Sequence, residues 1–138
     1  MRRLFEIVGD RRPVTLAPGA TVQAACKHMH EQRFASVLVT DEQGLLLGIF
    51  TRRDAVRLLA EGADATKVTL GEAMTPNPAT MAPDGTAVEA LKLMWDGGFH
   101  HVPLTEGGKV VGIVSHTDFK GDEHQRLDEV RDLWEHLR

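Results

Sequence analysis

The chain states one pattern twice, and that duplication limits its possible folds more than any other feature. Thr15-Leu16-Ala17-Pro18-Gly19-Ala20-Thr21 returns as Thr80-Met81-Ala82-Pro83-Asp84-Gly85-Thr86. Gly48-Ile49-Phe50-Thr51-Arg52-Arg53-Asp54 returns as Gly112-Ile113-Val114-Ser115-His116-Thr117-Asp118. The copies stand 65 positions apart as far as Val39 and Leu104, and 64 apart from Gly48 and Gly112 onward. The missing residue falls between Thr105 and Gly112, in a turn, where a deletion leaves strand register intact. A repeat of about 60 residues is near the lower limit for an independent core. The expectation is therefore one globule in which both copies share a core. Two copies are also too few for a solenoid.

Each copy reads as strand, helix, strand, strand, helix. In the first, Val14 to Leu16 is a brief strand closed by Pro18-Gly19, and Thr21 caps a helix running to about Gln32. Ser36–Thr40 and Leu45–Phe50 form a buried hairpin around Asp41-Glu42-Gln43-Gly44, and Thr51 opens a second helix stopped by Gly62. In the second, Ala79 to Met81 is the strand, and Thr86 with Glu89 makes a capping box for a helix ended by Gly97-Gly98. His101–Leu104 and Lys109–Val114 form the hairpin. These readings divide the chain into a first repeat (8–64), a linker (65–78), a second repeat (79–121) and a C-terminal helix (122–138). That last helix carries Leu127, Val130, Leu133, Trp134 and Leu137 roughly on one stripe, suited to docking or to a dimer seam.

The net charge of -4 argues against a nonspecific nucleic-acid binder, which needs a basic face. No apolar run approaches the roughly 20 residues of a membrane span, and the opening Met1 to Glu6 does not read as a signal peptide. A single cysteine, Cys26, suits a reducing compartment and reads as an inert thiol on a helix face. A cytoplasmic protein is expected.

The chemistry gathers where, in each copy, a buried strand runs into a helix through Gly-apolar-apolar-Thr/Ser-x-x-Asp. The helix start offers unpaired N–H groups and the positive end of a dipole, both favourable to phosphate. The hydroxyl of Thr51 or Ser115 stands at that mouth. The carboxylate of Asp54 or Asp118, one turn in, can accept from two vicinal hydroxyls such as those of a ribose. The same spacing is equally a capping motif, stabilising a helix by about 1 kcal/mol with no ligand at all. Arg52 and Arg53 bear on the choice, because cations in a first helical turn oppose the dipole by about 0.3–1 kcal/mol each. An anion at that end would explain them; solvation, or pairing with Asp54 or Glu61, is the alternative. The second copy offers His116 there, with His100 and His101 at the mouth of the preceding strand.

The duplicated unit with this closing phrase resembles a pair of cystathionine-β-synthase (CBS) domains, a Bateman module, over about residues 8 to 120. The resemblance implies an α/β (α+β) fold of two β-α-β-β-α CBS repeats packed as one pseudo-two-fold globule. It also implies adenine-nucleotide or adenosyl-ligand binding (AMP, ADP, ATP, S-adenosylmethionine or NAD-like) in clefts between the repeats. Asp54 and Asp118 would then hold ribose hydroxyls, and Thr51 and Ser115 would face phosphate. Backbone at Thr15 and Leu16, and at Ala35, Ser36 and Val37, would frame one base; Thr80, Met81, His100, His101 and Val102 would frame the other. Arg53 matches a basic position of the family; Thr117 departs from it, and Gly121 cuts the second copy's last helix short. Unequal clefts are expected.

No His, Cys or Asp cluster has metal-ligand spacing, and no activated nucleophile with its base is visible. The resulting expectation is a non-enzymatic sensor that needs no metal or resident cofactor. It would act as a homodimer, by analogy with such modules, and signal through a change of shape or association to an effector protein. The competing reading is a structural or interaction module whose clefts bind nothing. Nucleotide hydrolysis is a remote third.

Overall fold

The computed structural model describes residues 1–136. The first half contains α1 (Leu4–Val8), β1 (Thr15–Leu16), α2 (Val22–Gln32), β2 (Ser36–Thr40), β3 (Leu46–Thr51) and α3 (Arg52–Ala60). The segment between the copies carries α4 (Leu70–Ala73) and β4 (Thr75–Pro76). The second half contains α5 (Ala87–Gly97), β5 (His101–Glu106), β6 (Lys109–Ser115), a single 3-10 turn at His116–Asp118, and α6 (Gly121–His136). Of the stripe expected on the tail helix, Leu137 and the Trp134 side chain lie outside the described residues.

The two halves are the same architecture with different edges. In the first, β1 runs parallel to β2, β2 antiparallel to β3, and β3 antiparallel to β4. In the second, β5 and β6 form the hairpin, and the strand expected at Ala79–Met81 shrinks to one parallel bridge between Met81 and Leu104. Both hairpins shift register at the same place, after Val39 and after Leu104. The deletion sits where the duplication placed it. The first turn is organised by the Asp41 carboxylate, which accepts from the amides of Gln43 and Leu45, each at 2.9 Å. The second closes on Gly107 and Gly108, with φ of 58° and 81°, the paired positive values that a two-residue hairpin turn demands. The tips of the two hairpins join: Leu46 N–H donates to the Gly108 carbonyl and Val110 N–H to that of Gly44.

The expected shared core divides in two. Val22, Ala25, Met29, Val37, Val39 and Phe50 bury with Leu70 and Ala73 in one cluster. Ala87, Ala90, Leu91, Met94, Val102, Leu104 and Val114 bury with Leu4, Val8, Phe119 and Leu127 in the other. Strand alternation explains the division. Val37 and Val39 face one way, so Leu38 with its partner Ile49 faces the other; Val102 and Leu104 likewise oppose Pro103 and Ile113. Leu38 and Pro103 are fully buried outside both clusters.

Each half is completed by a piece from outside its own copy. α4 docks on the first half: Val22 N–H donates to the Val68 carbonyl and Leu70 N–H to that of Ala20. α1, at the opening of the chain, docks on the second half in the same way: Ala87 N–H donates to the Arg2 carbonyl and Leu4 N–H to that of Gly85. The opening glycine of each recurring phrase serves this contact. A Cβ on Gly48 would collide with the Met74 side chain and reach 2.8 Å from the Thr75 carbonyl; one on Gly112 would press on Val8 at 3.3 Å. The start of α6 is fixed to the same segment, with Glu123 buried against Arg2 at 2.5 Å.

Candidate functional site

At the first corner β3 passes into α3 at Thr51. Asp54 Oδ2 accepts from the Thr51 amide at 2.8 Å and from the Thr51 hydroxyl at 3.2 Å. Among the described residues Asp54 Oδ1 has a single partner in reach, the Arg57 guanidinium at 3.5 Å, an ion pair at the outer limit of a hydrogen bond. Three other helices are capped through a threonine hydroxyl. Thr21, Thr69 and Thr86 each accept from the amide three residues on, of Ala24, Glu72 and Glu89. At Thr51 and Ser115 the acid three residues on reaches back to the N-cap amide, as Glu6 does to Arg3 and Glu123 to Lys120, and the hydroxyl engages a side chain, Asp54 and Thr117, as that of Thr86 engages Glu89. Capping and ligand binding do not compete at Asp54, because a carboxylate has two oxygens and the cap uses one.

Beside Asp54 opens a cleft of 510 Å³. Thr51, Arg52, Arg53 and Asp54 make its polar end, and Ile49, Pro78, Ala79 and Phe99 its apolar walls. His100 and His101 line it from the second copy, and Thr75 and Asn77 from the segment between the copies. The volume lies within the range of small-molecule sites, which combine apolar walls with a few placed polar groups.

The second corner has the same parts in a smaller, more polar cleft of 310 Å³. Asp118 Oδ2 accepts from the Ser115 amide at 2.7 Å, as Asp54 does from Thr51. Its other oxygen is taken: Arg11 donates to Asp118 Oδ1 at 2.8 Å. A 3-10 turn follows Ser115 and ends at an extended Phe119, where Thr51 is followed directly by the nine-residue α3. Ile113, Ser115, Thr117 and Asp118 line one side; Phe34, Ala35 and Ser36 line the other, with Arg11, Arg12 and Arg33 at the rim.

Each cleft therefore crosses the repeats. The Thr51–Asp54 corner meets His100 and His101 of the second copy, and the Ser115–Asp118 corner meets Ala35 and Ser36 of the first. Of the other residues singled out from the sequence, Thr15, Leu16, Thr80 and Met81 line neither cleft. Thr15 and Leu16 pair with Leu38 and Val39, and Met81 packs on the second core. Val37 and Val102 are fully buried within the two cores. His116 faces a third hollow, of 330 Å³, shared with Trp95, His100 and His124. Its ring lies 5.4 Å from His100 and 4.7 Å from His124.

Sequence reasoning named no site residue in Asn77 to Ala79, which line the first cleft, or in Arg11 to Pro13, which line the second. A signal existed. Leu4-Phe5-Glu6-Ile7-Val8 and Leu70-Gly71-Glu72-Ala73-Met74 share Leu-x-Glu followed by two apolar residues, 66 apart. The likeness between the copies thus extends back to Leu4 and Leu70, and the residues after each of these pentapeptides lead to a cleft.

Burial holds the His101 imidazole below its ordinary range, with His100 and Arg52 pushing the same way against Asp118. Burial also lowers His116, helped by His124 and His100. Cys26 is half-buried and its thiol is raised by burial, which suppresses the reactive thiolate. Among the described residues no group of three or more His, Cys, Asp or Glu is placed to hold a metal ion, and no helix is long and apolar enough to cross a membrane.

The CBS-domain family model matches residues 6–61 and again 70–121. CBS domain-containing protein CBSCBSPB2 of Arabidopsis thaliana is 36% identical over 118 residues, covering 85% of this chain and 22% of the relative. The chain spans about a fifth of the length of the Arabidopsis relatives it matches. Among solved structures, the CBS-domain protein ATU1752 of Agrobacterium tumefaciens superposes with a TM-score of 0.77 at 32% identity, covering 85% of this chain and 95% of that one. The CBS domain pair of protein MJ0100, in complex with 5′-methylthioadenosine and S-adenosyl-L-methionine, gives 0.77 at 27% identity, with coverage of 85% and 95%. The chain belongs to the CBS-domain family.

Proposed function

We propose that this CBS-domain pair is a regulatory sensor that takes an adenine nucleotide or adenosyl ligand into the cleft beside Asp54. The carrying observation is the state of that carboxylate. One oxygen is held by the Thr51 amide and hydroxyl, the other has among the described residues only a 3.5 Å contact to Arg57, and the residue lines a 510 Å³ cleft. An acceptor fixed in this way is pre-oriented for the vicinal hydroxyls of a ribose. Ile49, Pro78, Ala79 and Phe99 offer apolar faces for a flat base. Thr51, Arg52 and Arg53, at the start of the nine-residue α3, receive a 5′-phosphate. The ligands bound by MJ0100, both adenosyl compounds, support this class.

In this reading the chain catalyses nothing and needs no metal or resident cofactor. Output comes from the differential affinity of the ligand for two arrangements of the pair, or of its dimer, and passes to an effector protein. Val56 and Leu59 are 66% and 80% exposed on α3, whose start forms the first corner, and they suit a homodimer contact that the ligand adjusts. The test is thermal shift and calorimetry with adenosine, AMP, ADP, ATP, S-adenosylmethionine and NAD. At least one adenine compound is expected to bind one cleft and raise Tm. If none does so at millimolar concentration, the chain is an interaction module with idle clefts.

A further inference from the structure

The two clefts adjoin, and they differ in a way the duplication does not require. Ala35, Arg52 and His101 line both. Where the first has Asn77 and Pro78 at its rim, the second has Arg11 and Arg12, and Arg33 joins them from the end of α2. Together, Arg11, Arg12, Arg33, Arg52 and Arg53 put five guanidinium groups along one continuous surface of a chain whose net charge is -4. Among the described residues only Arg11 has an acid partner, Asp118; Arg12, Arg33, Arg52 and Arg53 are exposed and form no ion pair. Mutually repelling cations gathered in a concave site attract anions.

Arg33 supplies an independent observation. It ends α2 in the left-handed conformation, with φ of 59°, where the second copy has Gly98 with φ of 70°. That conformation suits glycine and disfavours a side chain. The chain nevertheless places an arginine there, at the rim of the second cleft.

We infer that the two clefts hold one ligand, a nucleoside polyphosphate whose nucleoside sits beside Asp54 and whose phosphate chain passes Arg52 toward Arg12 and Arg33. The inference rests on the adenine-nucleotide reading of the first cleft and narrows it. Guanidinium groups bind phosphate oxygens in bidentate fashion, and each added phosphate brings more charge within reach of the row. A sulfonium ligand such as S-adenosylmethionine carries positive charge toward the same arginines and is disfavoured. The Arg11–Asp118 pair keeps the second acid from acting as a ribose site, so the second cleft serves the phosphates.

Calorimetry with the magnesium-free sodium salts of AMP, ADP and ATP, and with S-adenosylmethionine, tests this. Affinity is expected to rise in the order AMP, ADP, ATP, with ATP about tenfold or more tighter than AMP at low salt and the gap narrowing as salt is added. The double variant Arg12→Gln/Arg33→Gln is expected to bring ATP down to the level of AMP while leaving AMP unchanged. Arg33→Gly alone is expected to raise Tm, by relieving the left-handed strain, and still to weaken ATP. Equal affinity of AMP and ATP for the natural chain, tighter S-adenosylmethionine, or equal loss of AMP and ATP in the variants would each overturn the inference while leaving the sensor intact. Absence of binding by every adenine compound would overturn both.

Discussion

The two corners share a phrase and a fold, and they differ in what reaches the acid. Asp54 and Asp118 each cap their own strand end, at 2.8 and 2.7 Å. Asp54 lines the larger cleft and pairs with Arg57 of its own helix only at 3.5 Å, whereas Asp118 lines the smaller one and pairs at 2.8 Å with Arg11, a residue 107 positions away. A nine-residue helix follows Thr51; one 3-10 turn follows Ser115. The difference teaches that a duplicated motif sets the position of a site, while the segment laid across it sets the chemistry. Here those segments are Asn77-Pro78-Ala79 and Arg11-Arg12-Pro13, delivered by α4 and α1.

The largest expected effect tests whether α1 and α4 are true counterparts. Leu4 and Leu70 are both fully buried, one in each core. Leu4→Ala and Leu70→Ala should each cost about 2–5 kcal/mol in urea unfolding. A loss under about 1 kcal/mol for Leu4→Ala, against a full loss for Leu70→Ala, would break the equivalence and make α1 an accessory.

Next is the anchor of α6 on the lead-in. Arg2, hydrogen-bonded to the buried Glu123, holds its carboxyl below the usual range, aided by the Lys120 amide. Glu123→Gln should cost about 1–3 kcal/mol. The folded value is depressed, so this stability is present above the unfolded pKa of about 4.5 and is lost as pH falls through the folded one. Acid unfolding of the natural chain and the variant should therefore converge at low pH; a constant gap would deny the ion pair that role.

The comparison of the acids themselves is sharpest in binding. Asp54→Asn should weaken an adenine nucleotide about tenfold to a hundredfold, equivalent to about 1.4–2.8 kcal/mol, with about 1 kcal/mol or less lost in stability. Asp118→Asn should leave that affinity within about twofold and remove a partly exposed ion pair worth about 0–1 kcal/mol. Equal losses of affinity would show that the corners are functionally alike.

The smallest effect concerns the histidines between the corners. His101 and His116 are held low by burial first, so the unfolded chain binds more protons just below pH 6.5. Stability should decline modestly as pH falls from about 7 toward 5. His101→Asn combined with His116→Gln should flatten the decline, as read by Tm against pH; an unchanged slope would place the titrating groups elsewhere.

Much of the fold is legible along the chain. Repeat period, the shortened second turn, the caps at Thr21 and Thr86, and the Gly-to-Asp phrases are local patterns. Local patterns survive because backbone geometry and side-chain alternation act over a few residues. The short strand at Ala79–Met81 is less secure: three residues beside a linker form a strand only if a neighbour supplies a full ladder, and Leu104 supplies one bridge. The helix at Leu4–Val8 is not legible along the chain because a five-residue helix has little intrinsic stability, and its apolar Leu4 and Val8 gain meaning only once docked.

The sequence by itself determined that two like units exist, which residues form their strands and helices, and that an acid ends each recurring phrase. Tertiary structure alone decided that each phrase meets residues of the opposite copy, that the core divides in two, and that Arg11 engages Asp118 at 2.8 Å while Asp54 meets Arg57 only at 3.5 Å. The reason is one of range. Hydrogen-bonded elements are set by neighbours along the chain, whereas the surroundings of a carboxylate are set by whatever the packing of the two halves lays against it.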